Sequence, residues 1–262
     1  PARFATLGSS FIAFGTLGNI VGAEPLAAAA ELWGWRPVAW FLCASTVAVG
    51  VAIQLFVRDP ERVSNPNQTE KVGYLALMKI PQLWTILPCI LLGYAIAAGI
   101  RGLWAGPFLS DVYGLTTIEI GRVTLYMAIA LSLGSLAFGP LDRLLDTRKW
   151  VIMGGNLIVL GAVGWLWLAL PSEQWLAGLL LVVIGFFGAS YAVQMTHGKA
   201  FVPTHMTGRG VTLMNFFSIG GVGLMQLVSG QVVAASSVAG DPAAGYRGLF
   251  AMYAVSLGVV LV

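Results

Sequence analysis

The sequence predicts an all-α polytopic membrane protein, a bundle of helices that cross the bilayer, and three observations support this prediction. The 262 residues are 58% hydrophobic and 10% charged, with a mean hydropathy of +0.84, whereas soluble proteins are about 45–50% apolar and about 25% charged. Runs of about 20 mostly apolar residues recur, which is the helix length that ~30 Å of hydrocarbon requires. No run alternates as a barrel strand does, so each is predicted to be a helix.

Eight apolar segments are predicted to be helices, and charged or polar stretches separate them. Arg36 lies between the first two, and the only long polar stretch, "RDPERVSNPNQTEKVGYLALMKIPQ", separates the second from the third. The last segment is short for a span, and residue 1 is Pro rather than an initiator Met, so we expect a piece of a longer protein. The predicted segments are residues 8–30, 38–57, 83–108, 121–140, 150–170, 174–195, 209–235 and 248–262.

The cations between these segments predict the orientation of the helices. Ten lie in or beside loops on the side of the N-terminal end, and three lie on the opposite side. Because cytoplasmic loops carry an excess of Lys and Arg, we expect the N-terminal end in the cytoplasm, with the protein in a bacterial cytoplasmic (inner) membrane. The net charge of +3 follows from this sorting and indicates no nucleic-acid partner. The ten are Arg3, Arg58, Arg62, Lys71, Lys79, Arg143, Arg148, Lys149, Lys199 and Arg209; the three are Arg36, Arg122 and Arg247.

A weak internal repeat predicts how the helices are grouped. Segments that begin at Pro1 and Pro203 match at a constant offset, and six spans separate them. Two six-helix halves of the same orientation are a common plan of transporters. Residues 1–57 would then be the last two helices of the first half, residues 58–82 a cytoplasmic linker, and residues 83–262 the second half with a truncated last helix. The matched pairs are Pro1 with Pro203, Gly8 with Gly210, Phe14 with Phe216 and Gly18 with Gly220.

The stretch "GPLDRLLDTRK", residues 139–149, resembles a loop motif of the major facilitator superfamily of secondary transporters. That family carries the motif between its second and third helices and often a weaker copy at this place. The spacing before Asp142 is one residue shorter here, and Asp146 and Thr147 stand where a Gly usually precedes the basic pair. Helix count, loop asymmetry and the central linker are also similar, and this implies the fifth to twelfth of twelve helices. The missing first four helices would be partners of this chain. The resemblance implies a cytoplasmic gate at Asp142 and Arg143, where a carboxylate near a helix end pairs with a guanidinium.

Arg101 and Glu24 are the only two of the 25 charged residues that lie well inside a predicted span. A charge at the centre of a bilayer costs about 2.5–3.5 kcal/mol on the most lenient scale, so it normally faces a partner, a cavity or a substrate. Both lie ~24–28 Å from the inner ends of their helices at 1.5 Å per residue. One interpretation is structural: the two form an ion pair, or Arg101 reaches the outer interface on its flexible stem. The other is functional: Arg101 binds an anionic substrate, and Glu24 carries a coupling proton if it is unpaired. Both stay open, and they are compatible if the pair opens during transport.

Aromatic side chains surround Arg101 in the sequence. Tyr94, Arg101 and Phe108 recur every seven residues, so they are predicted to share one helix face, with Trp104 one turn beyond Arg101. The pattern predicts a cation framed by aromatic rings.

The resemblance adds a second helix to this site. The seventh and tenth helices of the family line its cavity, which places Tyr191 and Gln194 beside the same substrate path. Gly106-Pro107 is predicted to bend the seventh helix during gating.

These features predict a secondary active transporter that moves a small solute through the lipid bilayer by alternating access, as a symporter or an antiporter. Arg101 favours an organic or inorganic anion, and a proton or ion is the expected coupling partner. A transporter-like sensor or assembly partner is the alternative. An enzyme is not expected because the sequence has no phosphate loop, HExxH or GxSxG motif. No cofactor or metal is predicted, since His197 and His205 have no acidic or Cys neighbours.

Overall fold

A computed structural model describes residues 18, 21, 22, 24–58 and 74–261, and of Asp142 and Arg143 the backbone alone. This part of the chain is almost entirely helical. The helices are α1 (Glu24–Trp33), α2 (Trp35–Phe56), α3 (Tyr74–Met78), α4 (Pro81–Gly99), α5 (Ala105–Tyr113), α6 (Thr117–Leu144), α7 (Arg148–Leu168), α8 (Gln174–Gly188), α9 (Tyr191–Lys199), α10 (Thr207–Ser236) and α11 (Pro242–Leu261). A π-helical turn (Ile100–Trp104) joins α4 to α5, and a 3-10 turn (Thr204–Met206) precedes α10.

Seven helices in the described residues are long and apolar enough to cross a membrane, so the predicted polytopic helical bundle is confirmed. Of the first predicted segment, residues 8–17 lie outside the described part, as do Pro1, Gly8 and Phe14 of the repeat and residues 59–73 of the linker. The seven spans are Trp35–Phe56, Pro81–Tyr113, Thr117–Leu141, Arg148–Leu168, Gln174–Lys199, Thr204–Ser236 and Pro242–Leu261.

The last helix corrects the prediction that it is too short to span the membrane. It begins at Pro242, six residues before the predicted start, and runs for 20 residues. Asp241 stabilises this start, because its carboxylate accepts the backbone N–H of Ala243 at 2.9 Å and pairs with Arg247 at 3.3 Å. The prediction had placed Arg247, a cation in the first turns of this helix, in the loop before it.

Successive spans alternate in direction, which defines two ends of the bundle. The linker end carries the connections at residues 57–80, 145–147 and 200–206, and the far end carries those at residues 114–116, 169–173 and 237–241. At the far end, Thr116 caps α6 in a reciprocal capping box with Glu119. Gly114 ends α5 with φ +67°, a left-handed conformation that favours Gly.

The second predicted half forms one packed bundle. Helix α4 packs along α10, α6 along α8, and α7 along α11, while α1 packs against α6. The main core cluster contains Phe108, Leu166, Leu181, Phe250 and Tyr253. Close packing of small and aromatic residues is what holds helices together in lipid, where burial from water contributes little.

Candidate functional site

Two of the membrane-spanning helices that meet near the middle of this bundle are irregular. In one, the π turn follows α4; in the other, Ala189 and Ser190 interrupt the helix between α8 and α9. The two helices approach closely between these points, since a Cβ on Gly188 would lie 2.6 Å from that of Ala97. Breaks in membrane helices are tolerated where they line a cavity or pack inside protein, and in transporters they mark binding sites.

Tyr94 and Tyr191 meet at this crossing. Their ring centroids are 4.5 Å apart with an interplanar angle of 39°, and both side chains are half-buried. Tyr94 lies on α4 and Tyr191 is the first residue of α9, so the pair joins the two helices for which the family resemblance implies a cavity-lining role.

Gln194 lies one turn beyond Tyr191 and is fully buried. Neither its Oε1 nor its Nε2 has a hydrogen-bond partner among the residues that the structure describes, and the same holds for the buried Ser190 Oγ. The amide fits against Gly93, where any Cβ would overlap it. Leaving a buried polar group unpaired costs about 1–3 kcal/mol. The crossing of the two helices therefore holds a buried amide whose donor and acceptor atoms are both unused among the described residues.

Arg101 is the second residue of the π turn and is half-buried. It lies seven residues after Tyr94, about 10 Å further along the axis at 1.5 Å per residue. A π turn places one extra residue in the helix and is frequent at functional sites. Its cause here is Pro107, which has no N–H for the carbonyl of Leu103 and whose ring crowds that carbonyl. The helix stays continuous at Gly106-Pro107, so the predicted irregularity lies one turn earlier.

Because of this extra residue, Phe108 does not share a helix face with Tyr94 and Arg101 as predicted. Because each residue turns the helix by about 100°, residues after the π turn are rotated by that angle from the seven-residue pattern. Phe108 is consequently buried, and its ring packs against those of Tyr113, Tyr246 and Phe250 at centroid distances of 5.5, 5.4 and 5.1 Å. It belongs to the core and does not frame Arg101.

Trp104 is also held by neighbouring helices. Its indole N–H donates to Ser229 Oγ of α10 at 2.8 Å, and its ring meets Tyr246 of α11 edge-on at 6.3 Å. Tyr246 in turn donates its hydroxyl to Asp111. The structure thus brings Tyr94, Tyr191 and Gln194 together and places Trp104 in a different group of contacts.

Glu24 forms its ion pair with Arg122 and not with Arg101. The Arg122 Nε and Glu24 Oε1 atoms are 3.4 Å apart, and the side chains are 51% and 30% exposed. Beside the pair, a Cβ on Gly121 would lie 2.8 Å from that of Ala27, so α1 and α6 pack closely. Counting depth from the loops had placed Glu24 opposite Arg101, but Glu24 packs beside the first two turns of α6, where Gly121 and Arg122 lie.

Asp142 and Arg143 lie in the last turn of α6, which runs to Leu144, rather than in the loop. Their side chains, and therefore the contacts of the predicted gate, lie outside the described part. Gly93 and Gly188 were not predicted as part of the site. A small residue facing a large polar one on another helix can be recognised only once the pairing of the helices is known.

The chain is similar in sequence to known membrane proteins over most of its length. A sequence profile described as the Major Facilitator Superfamily matches residues 1–225. Among curated proteins, MFS-type transporter SLC18B1 of Mus musculus is 24% identical over 210 residues, covering 78% of this chain and 43% of that protein. The protein of the same name in Rattus norvegicus is 24% identical over 235 residues, covering 88% of this chain and 48% of that protein. The chain spans about half the length of the curated relatives it matches.

Proposed function

The chain belongs to the major facilitator superfamily, and we propose that it forms the larger part of a secondary active transporter that moves a small solute by alternating access. The observation that supports a solute site is the buried amide of Gln194, which has no hydrogen-bond partner among the described residues. It lies beside the Tyr94–Tyr191 pair, on the two helices whose regular structure is interrupted.

The proposed site extends along α4 into the π turn, from Gly93, where the amide of Gln194 lies, to Arg101. The amide and the two phenols offer hydrogen bonds at one end, and the guanidinium offers a positive charge about 10 Å away. An elongated anion of that length, with a polar group opposite its charge, fits this arrangement. Trp104 would not contact the solute; it would hold the turn that carries Arg101 in place through its contacts with α10 and α11.

Alternating access would use the two irregular helices. The π turn and the break at Ala189–Ser190 leave main-chain groups outside the regular hydrogen-bond pattern, which lowers the cost of bending there. Residues 1–57 would belong to one half, residues 58–82 to the linker and residues 83–262 to the other half. The contact of α1 with α6 would then join the halves at the far end.

The remaining predicted roles are parts of this proposal. The linker end would face the cytoplasm, as the excess of cations there favours, and Asp142 and Arg143 would close it. Since Glu24 is paired with Arg122, we propose that it holds α1 against α6 rather than carrying a coupling proton. The coupling ion, the choice of symport or antiport and the bacterial inner membrane stay predictions.

Uptake by the full-length protein in proteoliposomes tests the proposal, with a panel of anions, cations and neutral metabolites. Gln194→Leu should raise KM by about 5- to 150-fold, the equivalent of the ~1–3 kcal/mol that is lost when a polar group of the bound solute is left unpaired. Arg101→Ala should abolish uptake of the anion. Asn156→Leu is the matched control, because this buried amide is already satisfied by the carbonyl of Ile152 at 3.0 Å.

Two results would contradict the proposal. If Gln194→Leu and Asn156→Leu change KM equally at normal yield, the amide is not a ligand. If no solute in the panel is transported while the protein is folded and binds a partner protein, the sensor or assembly role replaces transport.

A further inference from the structure

A groove runs between α6 and α8 that the proposed solute site does not use. It consists of two adjoining cavities of about 530 and 450 Å³, which share Tyr126 and Val182. We refer to it as the α6–α8 groove. Its walls are faces of α6 and α8 that no other helix of the described residues covers.

The groove is polar at one end and apolar at the other. Glu119, Arg122 and Gln174 line the cavity at the far end, together with Trp175, whose side chain is 65% exposed. Every residue of the second cavity other than Tyr126 is purely apolar. These residues are Ile129, Ala130, Leu133, Val182, Val183, Phe186 and Phe187.

The length of the groove matches one leaflet of a bilayer. Its polar end lies at the first turns of α6 and α8, which begin at Thr117 and Gln174. From Glu119 to Leu133 the helix rises 14 residues, about 21 Å. Half of a bilayer of ~40–45 Å, including its polar interfaces, is about the same length. Trp and Tyr at the mouth are the residues that membrane interfaces favour.

The groove lies on a separate face from the contact between α1 and α6. Gly121 packs against α1, whereas Arg122, Tyr126, Ile129 and Leu133 follow the helical spacing of a stripe centred about 110° away. An occupant of the groove can therefore contact Arg122 without entering the space between α1 and α6.

The charges at the mouth are complementary to a zwitterionic headgroup. Arg122 contacts Glu24 through its Nε atom, and its side chain is half-exposed. The other N–H groups of its guanidinium are therefore within reach of a phosphate. Three residues earlier, Glu119 accepts the N–H and hydroxyl of Thr116 through Oε2 and is exposed. The mouth carries one positive and one negative group, and Glu24 lies beside them. A zwitterionic headgroup can pair both of its charges there, so it gains more binding free energy than a net-negative headgroup does.

We propose that the α6–α8 groove binds one zwitterionic glycerophospholipid of the far-end leaflet. Its phosphate contacts Arg122, its ammonium contacts Glu119, and one acyl chain lies along the apolar wall to Leu133 and Phe186. This inference does not depend on the solute or on transport.

Native mass spectrometry of the delipidated full-length protein tests the proposal, with dioleoyl phosphatidylethanolamine and dioleoyl phosphatidylglycerol as probes. We expect one phosphatidylethanolamine to bind at least about fivefold more tightly than phosphatidylglycerol. Arg122→Gln should weaken phosphatidylethanolamine about tenfold, as loss of one charge-assisted hydrogen bond implies. Arg247→Gln is the matched control, because Arg247 is also 51% exposed and forms an ion pair at 3.3 Å with Asp241.

A second variant tests the headgroup assignment without disturbing the helix start. Glu119→Gln removes the charge but retains the capping box, since Gln serves there as Glu does. It should abolish the preference for phosphatidylethanolamine over phosphatidylglycerol. In the unmodified protein, a phosphatidylethanolamine with a photoreactive acyl chain should crosslink to residues 129–133 and 182–186.

Three outcomes would overturn the proposal. If Arg122→Gln and Arg247→Gln weaken phosphatidylethanolamine binding equally, the charge contact is non-specific. Phosphatidylglycerol could bind more tightly than phosphatidylethanolamine, which would exclude the zwitterionic headgroup. Crosslinks spread evenly over all helices would show that no particular groove is occupied.

Discussion

A buried amide without a hydrogen-bond partner lowers the stability of a folded protein, and Gln194 has none among the residues that the structure describes. The amide of Asn156, equally remote from water, donates to the carbonyl of Ile152 on its own helix. Gln194 has the same chemistry but extends across to Gly93 on α4. This difference between the two residues is the basis on which we propose a ligand-binding role for Gln194 and a packing role for Asn156.

Exchanging the charges of Glu24 and Arg122 distinguishes an ion pair from a proton carrier. Glu24→Arg alone places two cations 98 positions apart in sequence but adjacent in space, so α1 and α6 should separate and transport should fall. The double change Glu24→Arg with Arg122→Glu restores opposite charges and should recover most of the lost activity. Uptake and thermal stability of the full-length protein are the measurements.

The size of this effect is limited by exposure. The side chains are 51% and 30% exposed, and exposed ion pairs typically contribute only about 0.2–1 kcal/mol. The single Glu24→Gln change should therefore lower stability only slightly. A double exchange that folds normally yet stays inactive would indicate that a carboxylate is required at position 24, as proton coupling demands.

Among the helices, the segment from α4 to α5 shows most clearly what the sequence can predict. Its apolar length predicted a span, and the structure confirms one from Pro81 to Tyr113. The seven-residue spacing from Tyr94 to Phe108 assumed regular α-helix throughout, and one extra residue in the π turn invalidated it. The Pro that causes this turn was visible in the sequence, but its effect lies four residues earlier and depends on the packing of Phe108 in the core.

Removing Gly102 tests whether the π turn is a one-residue insertion. Without Gly102 the turn can close as regular α-helix, and Phe108 and Leu109 keep their places in the core. A Cβ at Gly102 would meet nothing within 4 Å, so this residue makes no packing contact that deletion would lose. We expect a folded protein of near-normal thermal stability in which Arg101 is reoriented and uptake is lost.

Removal of Gly154 provides the control for this deletion. Gly154 is equally open but lies inside the regular helix α7. There the deletion rotates all later residues by about 100° and turns the buried face of α7 away from the core. That variant should not fold. Similar yields for both deletions would contradict the view that the π turn absorbs one residue.

At the scale of the whole molecule, the fold could be predicted almost completely, and the site only in part. Bilayer thickness determines helix length, so the apolar runs predicted six of the seven spans, and the seventh was predicted as a helix too short to cross. The pairing of side chains between helices depends on rotations of tens of degrees about each axis, which periodicity does not determine. This is why the sequence did not predict the contact between the Tyr94 and Tyr191 rings, and why it placed Arg101 rather than Arg122 opposite Glu24.

The orientation of the bundle is the last prediction, and it concerns the whole molecule. The cations at the linker end should hold that end in the cytoplasm. In the full-length protein with all native cysteines replaced by Ala, Cys43 and Cys89 among them, a single cysteine at the far end, Ser172→Cys, should react with a membrane-impermeant maleimide in intact cells. Leu145→Cys at the linker end should react only after the membrane is permeabilised. Both positions are exposed, so equal labelling after permeabilisation controls for reactivity. If Leu145→Cys is labelled first in intact cells, the orientation is reversed, the lipid of the α6–α8 groove belongs to the cytoplasmic leaflet, and Asp142 and Arg143 lie at the opposite face from the gate that we propose.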